Sequence, residues 1–452
     1  MEKEKLTIEQ QLRKTKFKIA NSFWWGIYGF ASKRIVCPKY KVTYESIDNP
    51  RDCDGPCFII WNHQSRRDYL FIKNAIAPRK YNMVCGYSEF SRQKFKFPFK
   101  VAQVLPKKNF CVDPYGIKAI TSIIKAGGCV AFAPEGVSSI YGCQQPIIAG
   151  TGRLLQFFNV PVYFCHMEGA YLTSHKVYIK DRCGKVNVRM ELLFKKDELK
   201  NMSVQEIDDI INAKFRHDDY EWNKTARVKY KTKGTACNGL DNILYYCPKC
   251  GAEMTIEANG NTIKCTKCGN GATQDDYFDF HPFDDTCKIP VSPSAWFAVQ
   301  RMKIIDDIRK NPDYSFTTHV KIGDLPLYKR IKNNKDITIP CGEGDLTFDH
   351  SGIHYVGTRH GEEWKFDGSY EQYFSLNVEN ETDNFDIYIN GEFMSFSPSD
   401  KSVGKCILIT EEMHRLHFNT WKNFPWNAFM YHGTELEQPD DDYEENVKKL
   451  YL

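Results

Sequence analysis

No run of about eighteen apolar residues occurs in the 452-residue chain, so no conventional membrane-spanning helix is expected. The first residues mix acidic and basic side chains instead of placing a basic stub before an apolar core, which fails as a secretory signal. A Gly-x-Ser-x-Gly elbow is missing, which weighs against an ordinary serine hydrolase. Internal repeats and extended low-complexity tracts are missing too, and with them the solenoid and scaffold classes. Net charge is scarce: 61 basic against 57 acidic residues leave +4, a balance that names no partner by itself. Seventeen cysteines are many, yet the number is odd and most are scattered through apolar or loop segments. That usage fits a reduced intracellular protein better than a disulfide framework. The length is ample for two or three domains with apolar cores.

What is present begins with two apolar runs that end in polar motifs. Cys57-Phe58-Ile59-Ile60-Trp61 reads as a buried strand and leads into Asn62-His63-Gln64-Ser65-Arg66-Arg67-Asp68. His63 would occupy the turn beyond the strand, and a helix beginning near Ser65 would carry Asp68 in its first turn, close to the imidazole. A carboxylate on one ring nitrogen fixes the tautomer and leaves the other nitrogen to take a proton from a hydroxyl. This is Ser-His-Asp logic with a substrate alcohol in place of the serine; the competing reading is a surface turn with an unrelated His and Asp. The second run, Cys129-Val130-Ala131-Phe132-Ala133, leads into Pro134-Glu135-Gly136-Val137-Ser138-Ser139. Gly136 permits backbone angles or a close approach that a side chain would block. Glu135 would orient substrate, structure the loop, or pair with a nearby cation. Strand-end motifs of one α/β domain can converge, because open sheets bind ligands beyond the carboxyl ends of their strands.

In order and spacing these segments resemble the glycerolipid acyltransferase family, with its PlsC-like domain, over residues 20–230. The family's first signature is a His and an Asp separated by four residues, matched by His63 and Asp68. Its third is Phe-Pro-Glu-Gly-Thr followed by Arg and Ser; here Val137 and Ser138 replace the threonine and the arginine. Its second ends in an arginine associated with the substrate phosphate. The nearest match is Val104-Leu105-Pro106-Lys107-Lys108-Asn109, which puts Lys108 at that position beside Lys107. A fourth segment carries Val-Pro, matched by Asn159-Val160-Pro161-Val162, and the basic residue expected before a glycine is missing at Ile148-Ala149-Gly150.

The resemblance implies an α/β domain with a mostly parallel central sheet and acyl transfer without an enzyme-bound ester. The donor would be acyl-CoA or acyl-carrier protein, and the acceptor lysophosphatidate at its free hydroxyl. Glycerol-3-phosphate, another lysolipid, or a noncatalytic lipid-binding role are the alternatives. His63 would be the base and Asp68 its partner, with Arg66, Arg67, Lys107, Lys108, Glu135, Gly136 and Arg153 around the substrate. Lysine is a mobile point charge where arginine offers a rigid fork, so the exchange bears directly on phosphate recognition. No redox cofactor is implied.

Cys247-Pro248-Lys249-Cys250-Gly251 and Cys265-Thr266-Lys267-Cys268-Gly269 form two Cys-x-x-Cys knuckles fourteen residues apart. This is the signature of a rubredoxin-like zinc ribbon: four thiolates close a tetrahedron round a structural Zn2+, and the glycines relieve the tight backbone. Iron would also suit four thiolates. Nucleic-acid binding is not expected, because Glu253, Glu257, Asp275 and Asp276 oppose a basic contact face.

The chain divides into an acyltransferase-like domain over 1–235, the ribbon over 236–275, a helical connector over 276–317, a small mainly-β domain over 318–425 and an acidic tail over 426–452. Ser203 and Glu206 spell a capping box for a helix over Val204–Phe215. Ser294–Lys310 carries helical periodicity that Pro312 ends. Asn390-Gly391 marks a hairpin between Phe385–Ile389 and Glu392–Phe396, and a short helix or extended segment begins at Glu411. The succession of strands suggests a small barrel like the pleckstrin-homology or GRAM class, which would permit lipid or protein docking.

Phe17, Ile19, Phe23, Trp24, Ile27, Tyr28 and Phe30 are interleaved with Arg13, Lys14, Lys16, Lys18, Lys33 and Arg34. This fits an amphipathic helix at an anionic membrane surface, or equally one that packs its aromatics on the domain. Lys94, Lys96, Lys100, Lys107, Lys108, Lys118 and Lys125 add a basic stretch suited to anionic lipid, coenzyme phosphates or an acidic carrier protein. The expected location is the cytoplasm, peripherally on the cytoplasmic face of the membrane. Nothing in the sequence sets the oligomeric state.

Overall fold

The computed structural model describes residues 6–332, 337–418 and 447–452. Three sheets form in chain order. The first has seven strands: β1 (Val42–Ser46), β2 (Cys57–Trp61), β3 (Tyr81–Gly86), β4 (Leu105–Lys107), β5 (Cys129–Phe132), β6 (Val162–Glu168) and β7 (Val186–Phe194). Their spatial order is β1-β7-β6-β2-β5-β3-β4, and every neighbouring pair is parallel except β6 with β7. The sheet is therefore mixed but mostly parallel.

The two apolar runs lie at its centre because they are buried on both faces, as parallel strands between helices must be. Ile59 and Trp61 of β2 point to one face, where Trp25, Phe71 and Ile72 from the helices Ser22–Ala31 and Asp68–Ala75 complete a core. Phe58 and Ile60 point to the other, against Ile120, Ile123, Leu155, Ile207 and Ile211 from the helices Pro114–Lys125, Thr151–Phe158 and Val204–Lys214. The capping box closes as expected: Glu206 N donates to Ser203 Oγ at 3.2 Å and Ser203 N to Glu206 Oε2 at 2.7 Å.

The second sheet is a small antiparallel one of β8 (Ile256–Asn259), β9 (Thr262–Cys265), β10 (Gly271–Gln274) and β11 (Phe280–Pro282). Its first strand begins at Ile256. Met254 takes φ +54° and turns the chain there, leaving Glu253 in a single bridge to Tyr246.

The third sheet runs β15-β14-β13-β12-β18-β17-β16, all antiparallel. Its strands are β12 (Ser315–Asp324), β13 (Ile339–Asp349), β14 (Gly352–Arg359), β15 (Glu362–Gly368), β16 (Asn377–Val378), β17 (Phe385–Ile389) and β18 (Glu392–Pro398). The Asn390-Gly391 hairpin forms with φ +52° and +81°, the double positive φ of a tight two-residue turn. In place of a closed barrel, the described residues give an open order whose end strands, β15 and β16, do not pair with each other.

The final helix spans Val403–Phe418, starting well before the expected Glu411. Residues 403–415 are all buried, so its apolar first turns carry no amphipathic signature. It packs beside the helix Pro293–Lys310, which Ser292 caps through an Ala295 N bond of 3.1 Å. The acidic run Asp440–Glu445 lies outside the described residues. The last six residues are anchored: Leu450 is buried among Ala295 and Val299, and Val291 N donates to its carbonyl at 2.8 Å.

Arg301 of the first of these helices is buried and donates to Glu412 Oε1 at 2.6 Å and Glu411 Oε2 at 2.7 Å of the second. Removing the guanidinium leaves two buried carboxylates facing each other. Arg301→Met is expected to lower the unfolding free energy by about 3–5 kcal/mol in denaturant titration; a loss under about 1 kcal/mol would show that Arg415, on Glu412 at 3.2 Å, suffices alone.

Candidate active site

β2 delivers His63 to the carboxyl end of the first sheet, and the helix that follows begins at Asp68. The expected start near Ser65 is therefore reversed in sense: Ser65 does not cap a helix, but its amide donates to both Asp68 oxygens at 3.0 and 3.1 Å. Asp68 also meets His63 Nδ1 at 2.8 Å. Burial pushes the Asp68 carboxyl up, and the contacts to His63 and the Ser65 amide pull it back. Its side chain is 1% exposed while that of His63 is 27% exposed. Among the described residues no protein group bonds His63 Nε2, so the ring is held on one side and open on the other.

The second motif lies alongside because β5 pairs directly with β2, Phe132 opposite Ile60. Glu135 is fully buried. One oxygen accepts the His63 amide at 2.5 Å and the other the Gln145 amide at 2.7 Å. Burial pushes its carboxyl up to about 8 against these two amides. Its place is thus structural, knitting the two strand ends together. Ser139 N adds a third tie, to the His63 carbonyl at 2.8 Å. Gly136 takes φ +73°, and a Cβ there would stand 2.3 Å from the Ile148 side chain, so this turn is closed to any other residue. The amides of Val137 and Ser138 make no hydrogen bond among the described residues.

The basic residues have definite partners. Arg66 donates to the Ile179 carbonyl at 2.5 Å and the His175 carbonyl at 3.2 Å, and both Arg66 and Arg67 reach Asp181, at 3.3 and 2.8 Å. Lys107 is spent on the carbonyls of Lys108 and Cys111, at 2.6 and 3.2 Å, and burial lowers its ammonium. Lys108 donates to the Gly391 carbonyl of the β17–β18 turn at 2.6 Å, pairs with Glu9 at 3.1 Å and lies over Tyr87 and Tyr388. Both lysines are thus engaged by protein groups. Arg153 is exposed on the helix Thr151–Phe158 and is not brought to the motifs by any contact.

Sequence reasoning missed a second imidazole–carboxylate pair, His217 Nε2 to Asp219 Oδ1 at 2.5 Å. Both side chains are buried, and Asp219 also takes the amides of Gly169 and Tyr171 at 2.6 and 2.7 Å. It organises a turn and offers nothing to a ligand. Asn62, named only for its place before His63, clasps both backbone groups of Met167 at 2.8 Å and ties β2 to β6.

The four cysteines converge. One sulfur from each of Cys247, Cys250, Cys265 and Cys268 lies within 4.8 Å of the others, with Cys247–Cys268 at 3.7 Å and Cys250–Cys265 at 3.9 Å. A disulfide needs about 2.05 Å. A tetrahedral ion with bonds of about 2.3 Å separates its sulfurs by about 3.8 Å, so the spacing fits a metal. Gly251 and Gly269, at φ +72° and +75°, follow the knuckles as expected.

The helix Ser22–Ala31 buries only Trp25 and shows Phe23, Ile27 and Phe30 to solvent at 67%, 47% and 67%. Phe97, beside Trp24 at 5.2 Å, extends the patch, and Lys33, Arg34, Lys96 and Lys100 are exposed along the same segments. Phe17 and Ile19, expected on this face, lie ahead of the helix and are partly buried. Among the described residues no helix is long and apolar enough to cross a membrane. A cavity of 330 Å³ opens on the third sheet, lined by residues such as Trp364, Phe366 and Tyr373, none of them from the His63 motif.

No protein-family model matches the chain, and no curated protein matches it. Among solved structures the chain is similar to the 1-acyl-sn-glycerophosphate (LPA) acyltransferase PlsC from Thermotoga maritima, at 16% identity and a TM-score of 0.34. That likeness covers 42% of this chain and 78% of the other, and it is a distant one.

Proposed function

We propose that the protein is an O-acyltransferase that moves a fatty acyl group from acyl-CoA or acyl-carrier protein to the free hydroxyl of a lysolipid, with lysophosphatidate as the acceptor. The observation that carries this reading is the asymmetry of His63, whose Nδ1 is fixed on buried Asp68 at 2.8 Å while Nε2 has no partner among the described residues and the side chain is part-exposed. A base of this kind needs a hydroxyl to deprotonate, and among the described residues no serine hydrogen-bonds to that nitrogen. The hydroxyl therefore comes from the substrate.

In the proposed reaction Nε2 takes the hydroxyl proton as the oxygen bonds to the thioester carbonyl carbon. Asp68 stabilises the imidazolium that develops. Collapse of the tetrahedral intermediate breaks the carbon–sulfur bond, and the departing thiolate takes the proton from His63, leaving an ester and a free thiol. The Val137 and Ser138 amides, unbonded in the turn that Ser139 holds against His63, are the donors proposed for the oxyanion. Arg66 and Arg67 set two guanidinium groups against the single carboxylate of Asp181, and this excess of positive charge supports an anionic acceptor. The acceptor phosphate is proposed to meet Arg66 and Arg67, which follow His63 directly in the chain and already hold Asp181 and the Ile179 and His175 carbonyls.

The aromatic helix Ser22–Ala31 and its flanking lysines support peripheral docking on the anionic cytoplasmic face of a membrane. The four cysteines support a structural Zn2+ ribbon, and the strand succession with its closing helix supports a pleckstrin-homology-like module after it.

Two outcomes are expected. Mass spectrometry of reactions pairing both donors with lysophosphatidate, glycerol-3-phosphate and neutral lysolipids will show an acylated product, and His63→Ala will lower its rate by about 10²–10⁴-fold with the fold intact. Undiminished turnover in the variant would remove His63 from the chemistry. Replacing Phe23, Ile27 and Phe30 by serine is expected to abolish flotation with anionic vesicles while sparing turnover of detergent-dispersed acceptor; flotation equal to that of the unaltered chain would place the membrane surface elsewhere.

A further inference from the structure

At one end of the third sheet a second set of metal-binding side chains meets. Asp324 ends β12, Cys341 lies in β13 and His360 follows β14, and one ligand atom from each is within 4.8 Å of the other two. Backbone irregularities bring them together. Ile322 pairs with Gly342 but Gly323 pairs with Pro340, so Cys341 is the extra residue of a bulge. Bulges re-aim a side chain that regular alternation would point elsewhere. His360 takes φ +55° in the β14–β15 turn, and its amide donates to the Cys341 carbonyl at 2.6 Å.

The donors are arranged as a coordination set would need. His360 Nε2 lies 2.8 Å from Asp324 Oδ2. Arg359 holds the other oxygen, Oδ1, at 3.1 Å, the kind of outer hydrogen bond that steadies a ligating carboxylate. That guanidinium is shared with Glu392 at 3.0 Å.

We propose that Asp324, Cys341 and His360 form a second metal site, distinct from the four-cysteine cluster, which takes Zn2+ or a similar divalent ion through a carboxylate oxygen, a thiolate and an imidazole. Mixed oxygen, sulfur and nitrogen donors suit such ions and disfavour Ca2+ and Mg2+, which require oxygen. On binding, the Cys341 proton leaves to solvent and the ion replaces the His360–Asp324 contact. Three protein ligands leave the fourth tetrahedral position to water. His360 is 66% exposed, so the ion exchanges freely, whereas the cysteine cluster has no open position. The bound ion clamps the ends of β12, β13 and β14 together.

Equilibrium dialysis of the full chain against buffered Zn2+, with bound metal counted at each free concentration, tests this. Cys341→Ser and His360→Ala should each lose about one equivalent relative to the unaltered chain, while Cys250→Ser/Cys268→Ser loses the other and keeps this one. Equal uptake by the unaltered chain and by both the Cys341 and His360 variants would overturn the second site, and so would an equivalent that disappears only with the cysteine cluster.

Discussion

The Asp68 carboxylate has been taken out of water at the edge of the main core, and a buried charge of this kind persists only where donors surround it. The preceding turn supplies them, with the Ser65 amide on both oxygens and the His63 ring on one. A second buried carboxyl shapes the neighbouring strand end. Glu135 is buried as deeply and is satisfied by the amides of His63 and Gln145. His63 is therefore held twice, at its ring by one carboxylate and at its backbone by another. The parallel pairing of β2 with β5 sets the distance between the two holds.

Much of this was legible in the sequence, because it depends on neighbours along the chain. Cys57–Trp61 and Cys129–Phe132 are apolar without alternation, which marks central strands, and the His63–Asp68 spacing fits a single turn. The Cys-x-x-Cys pairs and the Asn390-Gly391 hairpin were equally local. What was not legible depends on partners far away in sequence. The commitment of Lys108 to Glu9 and Gly391 could not be read from the lysine-rich stretch, since both partners are more than ninety residues distant. The early start of the last helix was hidden because a helix buried on every side shows no period. The Cys341 bulge was hidden because register is a property of paired strands.

The third sheet is more than an appendage. Lys176 donates to the Val378 carbonyl at 2.6 Å, and fully buried Arg92 reaches Glu379 at 3.4 Å as well as Glu89 at 3.1 Å. Phe110, three residues past the end of β4, stacks edgewise on Phe374 at 5.2 Å. The sheet thus packs on the loop that carries Lys107 and Lys108, and its Gly391 carbonyl takes the Lys108 ammonium.

The most direct test of the central claim is the tautomer of His63, read from the ¹⁵N chemical shifts of its ring in the selectively labelled full chain and in Asp68→Asn. In the neutral ring the proton is predicted on Nδ1, facing Asp68, with Nε2 bare and able to accept a hydroxyl proton, and the preference is predicted to weaken in the variant. A neutral ring protonated mainly on Nε2 in the unaltered chain would contradict the account, because the nitrogen assigned to the chemistry would then be a donor.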